Sequence, residues 1–391
     1  MRQKKSEVSL IIPVLMSFFV MSFIDLVGTG VDELKKDASV PAYILQLIPF
    51  VAFIWFFILS VPVGIWQDKV GKKKALNVAI IITAVGLMFP ILGNSFPIIL
   101  IAFSLLGIGN TILQVSANPL LVDVVPPGRS SSFLSLSQSI KSVGSILGPF
   151  IAAIVGPFLA NLFGDESEGS WRWGLYLFAI ISLLTSLWLL TVKIDETKSE
   201  GERASMASCF KLLGNSFIFL LVIGIFVVVG IDVAINSNIA TFLTDKLGVD
   251  AETAKYGKSV YFFAKMAGTL VGAGLLTVWS PRKFLTGSSI LAGIGLILIM
   301  VTNHELSAWI LIGVISLGVS NIFPLIFSIA VEKMPTRSNE ISGLMMMAIS
   351  GGAVIPFITG YAMSININGG MMVLLLCALY LLWISVYVRR K

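Results

Sequence analysis

Long apolar stretches recur along the whole chain, and short polar breaks separate them. Each stretch is about 20 residues long, which is the length that a helix needs to cross the hydrocarbon of a bilayer. Because lipid offers the backbone no hydrogen-bond partners, helices are the only spans that we expect here. The pattern predicts twelve transmembrane helices, over residues 10–31, 42–65, 76–94, 97–121, 132–159, 172–193, 213–240, 258–279, 285–302, 307–330, 338–362 and 369–388.

Composition agrees with a protein that crosses the membrane many times. Hydrophobic residues make up 56% of the chain and charged residues 12%, whereas a soluble domain is about 25% charged. The N-terminus is basic and no small-residue cleavage site follows the first apolar stretch, so we predict a retained span rather than a signal peptide. Cys209 and Cys377 lie far apart in the sequence and imply no disulfide framework.

The distribution of positive charge predicts the orientation. Most of the 27 Lys and Arg residues fall in the two termini and in alternate loops on the same side as the termini. Because positive residues favour the cytoplasmic side of a membrane, we predict that both termini are cytoplasmic. The same bias accounts for the net charge of +6 without a nucleic-acid partner.

The two halves of the chain show weak self-similarity. The charged stretch KIDETKSEGERASMASCFK, at residues 193–211, separates six predicted spans from six. Three pairs of residues recur at nearly one spacing in corresponding spans: Asp25 and Asp232, Asn110 and Asn321, and Pro149 and Pro356. Two six-helix halves with a binding site between them are typical of transporters. We therefore predict an N-terminal bundle over 1–193, a cytoplasmic linker over 194–211 and a C-terminal bundle over 212–391.

Polar residues lie inside the predicted spans, where lipid penalises them. Asn110, Gln114 and Asn118 are spaced i, i+4 and i+8, so they share one face of the fourth span. Such groups must face the bundle interior or a water-filled cavity. For the serines and threonines of the spans, bonding between helices is the alternative role. Amides, hydroxyls and a few charges suit a polyol, whose hydroxyls donate and accept, but a zwitterion or a small acid is also compatible. The candidate substrate-binding or coupling residues are Asp25, Asn110, Gln114, Asn118, Gln138, Lys141, Asp232, Asn236, Lys265 and Asn321.

The loop GIWQDKVGKKK, between the second and third spans, resembles the GxxxDxxGRK loop of the major facilitator superfamily. We expect a tight turn at Gly71, and we expect Asp68 to pair with basic residues or with a helix N-terminus. A positively charged anchor on the cytoplasmic side is the alternative interpretation. The predicted gating residues are Gly64, Asp68, Gly71, Lys72 and Lys73.

A narrower resemblance comes from the fourth and fifth spans. LQVSANP and SFLSLSQSIKSVGSILGP resemble the corresponding segments of the fucose/glucose–galactose permease family, and VGIDVAINS and KMAGTLVG resemble its seventh and eighth spans. The resemblance implies an all-α major facilitator fold, with twelve transmembrane helices in two pseudo-symmetric six-helix bundles. It also implies cation-coupled import of a hexose or deoxyhexose, such as fucose, glucose or galactose, across the inner membrane of a bacterium.

The same resemblance implies roles for individual residues. Asp25 takes the place of an aspartate that is implicated in proton-linked transport and sugar recognition, Gln138 matches a sugar-contacting glutamine, and Asn118 matches the motif asparagine. Gln114 departs from the family, because several proton symporters have a glutamate there, and Lys141 stands where an amide is common. Four schemes therefore stay open: proton coupling by Asp25 alone, an Asp25–Lys141 pair that the substrate breaks, sodium coupling, and uncoupled facilitation.

Two other classes of protein compete with a sugar importer. GSILGPFIAA partly fits the fifth-span motif of drug–proton antiporters, but alanines replace its last two glycines. A membrane enzyme or sensor is disfavoured, because HExxH is absent and His304 is the single histidine. We therefore predict a transporter and not an enzyme, with no catalytic residues, no metal and no cofactor except a coupling proton or sodium ion. Its expected partners are the sugar and the lipid bilayer, and we expect a monomer.

Overall fold

The protein is helical throughout the part of the chain that its computed structural model describes. The described residues are 2–26, 34, 44, 47–93, 95–164, 171–196, 205–254 and 256–390, and every regular element in them is a helix. The predicted end of the first span, at 27–31, and the predicted start of the second, at 42–46, lie almost wholly outside these ranges.

Six long helices come from the first half of the chain. They are α1 (Arg2–Met21), α2 (Leu47–Val70), α3 (Lys72–Met88), α4 (Phe96–Val124), α5 (Ser130–Phe150) and α6 (Arg172–Thr191). Three of them change geometry at one end. α1 continues as a 3-10 turn over Ser22–Leu26, α3 continues as a 3-10 turn over Phe89–Leu92, and α5 continues through a π-helical turn at Ile151–Val155 into Gly156–Leu162.

The second half repeats this arrangement with six more helices, two of which are broken. They are α7 (Ser216–Leu247), α8 (Tyr256–Leu275), α9 (Pro281–Val301), α10 (Glu305–Val319 and Ile322–Lys333), α11 (Ser338–Met347 and Gly351–Ile365) and α12 (Ile367–Arg390). Short connecting helices cover Met206–Lys211, Leu212–Gly214, Ala251–Ala254 and Pro335–Arg337. A 3-10 turn at Ala348–Ser350 joins the two parts of α11.

These helices coincide with the twelve predicted spans. Within the described ranges, 9 helical stretches are long and apolar enough to cross a membrane, and Leu10–Leu26 of α1 is a shorter apolar helix. The two remaining helices, α5 and α8, carry serine and lysine side chains among their apolar residues and are less hydrophobic. The all-helical, twelve-span membrane fold that the sequence predicts is therefore confirmed.

Contacts between residues divide the chain into two compact units. Unit 1 contains residues 1–125, 140–206 and 336–347, and unit 2 contains residues 126–139, 207–335 and 348–391. Each unit thus includes one segment from the other sequence half. The two exchanged segments are the first turns of α5 and of α11, which correspond in the predicted repeat. The predicted bundle boundaries at 193 and 212 stay a prediction.

Glycines allow the helices within unit 1 to approach closely. A Cβ atom added to Gly107 of α4 would lie 2.4 Å from the carbonyl oxygen of Ala52 in α2, and one added to Gly109 would lie 2.5 Å from the hydroxyl oxygen of Thr83 in α3. Small residues at such crossings give membrane helices the van der Waals contact that holds them together. The same device recurs in unit 2, where Gly318 of α10 packs against the backbone of Ala292 in α9.

We predict that Gly107→Ala lowers the stability of the folded protein by about 1–3 kcal/mol, because the backbone of α2 must move to admit the methyl group. The measurement is the midpoint of thermal unfolding in detergent. Gly293→Ala on α9 is the matched control, because no atom lies within 4 Å of its added Cβ. Equal midpoints for the two variants would show that the α2–α4 contact is not tight.

Candidate functional site

A ladder of buried amides runs along α4 in unit 1. The Gln114 side-chain nitrogen donates to the side-chain oxygen of Asn110 (2.8 Å), and the Asn118 side-chain nitrogen donates to the carbonyl of Gln114 (2.7 Å). The exposed fractions of Asn110, Gln114 and Asn118 are 1%, 7% and 0%. The three side chains therefore point into the protein rather than into lipid, as their shared helix face predicts.

Asn110, at one end of this ladder, contacts α1 at the residue where its α-helical geometry ends. Carbonyl groups at the end of an α-helix lose their partners, and a buried one must find another donor. The Asn110 side-chain nitrogen donates to the carbonyl of Met21 (2.6 Å), the last residue of α1 before the 3-10 turn. On its other side the turn packs on α5, where a Cβ at Gly144 would lie 2.0 Å from the hydroxyl oxygen of Ser22.

The 3-10 turn presents Asp25, whose side chain is exposed while its neighbours in the turn are buried. The Asp25 carboxylate accepts a hydrogen bond from the hydroxyl of Ser145 on α5. That hydroxyl also lies 3.0 Å from the carbonyl of Lys141, one turn earlier on α5. Asp25 is therefore beside the helical turn that begins at Lys141, and the Asp25–Lys141 ion pair stays a prediction. Gln138 is half-buried on the segment of α5 that belongs to unit 2.

A second polar cluster lies in unit 2, between α7 and α8. The Asp232 carboxylate accepts from the Lys265 ammonium (2.6 Å) through one oxygen and from the Tyr261 hydroxyl (2.8 Å) through the other. The Asn236 side-chain nitrogen donates to the carbonyl of Asp232 (2.8 Å), which places it one turn further along α7. The structure thus brings together three of the predicted residues and adds Tyr261, which precedes Lys265 by one turn on the same helix face. That spacing is the signal that could have identified Tyr261.

Asn321 lies at the break in α10, and it is 2% exposed. Its side-chain nitrogen donates to the carbonyl of Gly268 on α8 (2.8 Å), and a Cβ at Gly272 would collide with the Asn321 amide. The contact joins α10 to α8 and buries the asparagine. Among the described residues, no three His, Cys, Asp or Glu side chains are close enough to hold a metal ion.

The loop between α2 and α3 turns at Gly71, which has a φ of 94°. This left-handed conformation favours glycine, so the predicted tight turn is confirmed. The Glu196 carboxylate accepts from the backbone N–H groups of Lys72 (2.5 Å) and Lys73 (3.1 Å) and so caps the N-terminus of α3. A carboxylate that follows α6 gives no local signal that it caps α3, and the sequence did not identify Glu196.

The basic residues of the loop have partners within unit 1. The Lys72 ammonium pairs with the Asp123 carboxylate on α4 (2.7 Å), and the side chains are only 1% and 5% exposed. The Lys73 ammonium donates to the carbonyl of Val192 (2.5 Å), just after the C-terminus of α6. Because Lys72 is paired with a carboxylate and Lys73 is bonded to a helix C-terminus, both can lie in the first turn of α3, which begins at Lys72, four residues before the predicted span.

Asp68 contacts Asn339, a partner that the sequence did not identify. Its carboxylate accepts from the side-chain nitrogen of Asn339 (2.9 Å), the second residue of α11. A Cβ at Gly64 would lie 2.8 Å from the Asn339 carbonyl oxygen, so the two helices are in close contact. Asp68 of the first sequence half therefore lies at a helix N-terminus of the second half, within unit 1.

Known proteins resemble the chain in sequence and in fold. The sequence profile of the Major Facilitator Superfamily matches residues 14–356 and 221–391. A glucose/galactose transporter of Brucella abortus biovar 1 (strain 9-941) is 27% identical over 345 residues, which cover 86% of this chain and 83% of the relative. A putative glucose/galactose transporter of Helicobacter pylori (strain J99) is 26% identical over 387 residues, which cover 94% of each chain.

Solved structures share the fold. A structure of the Escherichia coli fucose:proton symporter FucP superposes with a TM-score of 0.85 over 98% of this chain and 99% of the symporter, at 17% sequence identity. At this identity the likeness concerns the fold, and the chemistry of the site must come from the residues of this chain.

Proposed function

Because this chain belongs to the major facilitator superfamily, a family of membrane transporters, we propose that it imports a sugar by alternating access. The substrate class is a hexose or deoxyhexose such as fucose, glucose or galactose. Support comes from the two bacterial relatives named as glucose/galactose transporters, which align with most of the chain. The superfamily that the Gly64–Lys74 loop resembles is confirmed by the profile match, and the protein is a transporter rather than an enzyme.

The observation that carries the proposal is the exposed carboxylate of Asp25 on the 3-10 turn of α1. A charge inside a membrane-spanning segment is costly and marks a functional site by default. The amide ladder of α4 and the contact with α5 hold the turn in place, so the position of Asp25 is built into unit 1. A carboxylate in this setting can accept sugar hydroxyl groups, and it can also carry a proton.

Proton coupling is the form of transport that these residues support best. Gln114 has no titratable proton, and its amide donates to Asn110, so it cannot act as a second coupling acid. Asp232 is already paired with the ammonium of Lys265, so we assign it to the substrate rather than to the proton. Asp25 instead accepts from the neutral hydroxyl of Ser145. Because enclosing a carboxylate away from water favours its protonated form, alternating access would let Asp25 take up and release one proton.

The Asp68–Asn339 contact supports a gating role for the loop. It joins the end of α2 to the first turn of α11, two segments that come from different sequence halves. We propose that this contact keeps the cytoplasmic side closed and must break when the transporter opens inward. We also propose that the loop and both termini are cytoplasmic. The proposed location is the inner membrane of a bacterium, and the proposed oligomeric state is a monomer.

We predict that Asp25→Asn abolishes sugar accumulation against a gradient and leaves part of the counterflow exchange, because asparagine keeps the hydrogen-bonding shape without the titration. Both activities are measured in the same proteoliposomes, with a panel of labelled sugars and an imposed pH or sodium gradient. Asp245→Asn is the matched control, since Asp245 is an exposed aspartate at the far end of α7.

Each alternative gives a different result in this assay. Uphill accumulation by Asp25→Asn would remove Asp25 as the coupling site, and accumulation driven by sodium would replace the proton. Counterflow without any uphill transport by the unmodified protein would identify a facilitator. Export of cationic drugs with no exchange of any sugar would contradict sugar import and favour the antiporter class.

We predict that Asp68→Asn slows transport while sugar binding in the outward-facing state persists. The substitution weakens the bond from Asn339 to a charged acceptor, so the cytoplasmic side closes less readily, and each transport cycle must pass through that closed state. The measurements are the exchange rate in proteoliposomes and sugar binding in detergent. Asp195→Asn, an exposed aspartate near the end of α6, is the control. Loss of binding with an unchanged exchange rate would place Asp68 in the sugar site instead of the gate.

A further inference from the structure

Among the described residues, two ion pairs that join helices differ in how exposed their side chains are. The Lys72–Asp123 pair of unit 1 is closed, with side chains 1% and 5% exposed. The Lys265–Asp232 pair of unit 2 is open, with side chains 21% and 22% exposed, although its N–O distance of 2.6 Å is close to the 2.7 Å of the closed pair. A buried pair is commonly structural. An open pair within the membrane-spanning helices retains the ability to meet a ligand.

Buried groups hold this open pair in a defined position. The Tyr261 ring is 0% exposed, and its hydroxyl donates to Asp232. The carbonyl of Tyr261 in turn accepts from the hydroxyl of Ser316 on α10 (2.6 Å). Asn236 donates to the carbonyl of Asp232. The buried Tyr261 hydroxyl therefore fixes the carboxylate, while the side chains of Asp232 and Lys265 remain about one-fifth exposed.

The hydrogen-bonding capacity of the pair fits an uncharged polyhydroxylated ligand. A lysine ammonium has three donors and a carboxylate has about four acceptor sites, so the pair offers both kinds of group while its net charge is zero. A sugar hydroxyl donates and accepts, and it can use both. A carboxylate on the ligand would be attracted by Lys265 but repelled by Asp232, and an ammonium the reverse, so a charged ligand gains little net attraction to offset the loss of its hydration.

We propose that the Asp232–Lys265 pair selects the charge of the substrate. Together the two residues admit uncharged sugars, and each one excludes sugars of its own charge. Removal of either member leaves a fixed charge that attracts the opposite class of sugar. This inference rests on the proposed function as a sugar transporter, and it assigns the exclusion of charged sugars to two named residues.

The test compares neutral and charged sugars in counterflow exchange and in equilibrium binding. The probes are galactose, its acid galacturonate and its amine galactosamine. We expect Asp232→Asn to raise the galacturonate-to-galactose ratio by at least about tenfold over the unmodified protein, since one uncompensated charge is worth more than 1.4 kcal/mol in such a site. Lys265→Gln should raise the galactosamine-to-galactose ratio instead.

The double variant Asp232→Asn/Lys265→Gln is the matched control, because it keeps polar side chains at both positions and removes both charges. The double variant should raise neither the galacturonate-to-galactose ratio nor the galactosamine-to-galactose ratio. The inference is overturned if both single variants keep the ratios of the unmodified protein, or if the unmodified protein already prefers galacturonate. The two single variants are measured with different charged sugars. If one variant does not fold, the ratio measured for the other still tests the inference. Absence of exchange for every sugar by the unmodified protein would contradict the proposed function itself.

Discussion

The absence of hydrogen-bond partners in the lipid interior is the constraint on which this structure depends. Each polar group that enters a span must be satisfied by another part of the protein. The side-chain nitrogens of the α4 ladder meet this requirement, and one of them does so at the end of α1, where Asn110 donates to the carbonyl of Met21. The break in α1 is thereby made stable. It allows a 3-10 turn, and the turn presents Asp25 in a place that a continuous helix would not offer.

The exposure of the charges separates structural roles from functional ones. Lys72 and Asp123 are buried and paired, and they join α3 to α4 beside the Gly64–Lys74 loop. Asp232 and Lys265 are paired but open, which suits recognition of a ligand without a change of charge. Asp25 is exposed and accepts from a neutral hydroxyl, and we propose that it is the single carboxylate that couples transport in a chain with glutamine at position 114.

The sequence predicted what depends on local pattern and missed what depends on distant contacts. Apolar length predicted twelve helices, and the spacing of Asn110 and Gln114 predicted their shared buried face. Glycine at position 71 predicted the turn that its positive φ confirms. Glu196 and Asn339 were missed because each contacts a residue more than 100 positions away, and neither has a spacing that marks it. The first turns of α5 and of α11 each belong to the unit of the other sequence half. This assignment also depends on contacts between distant residues, so the sequence did not predict it.

The central claim is that the carboxylate of Asp25 carries the coupled proton. Its most direct test is sugar-driven proton movement, recorded with a pH-sensitive dye inside proteoliposomes while labelled sugar enters down its gradient without any imposed pH difference. The account predicts internal acidification that accompanies sugar entry through the unmodified protein, and sugar entry without acidification through Asp25→Asn. Acidification that persists in Asp25→Asn, or sugar entry without acidification in the unmodified protein, would contradict the claim.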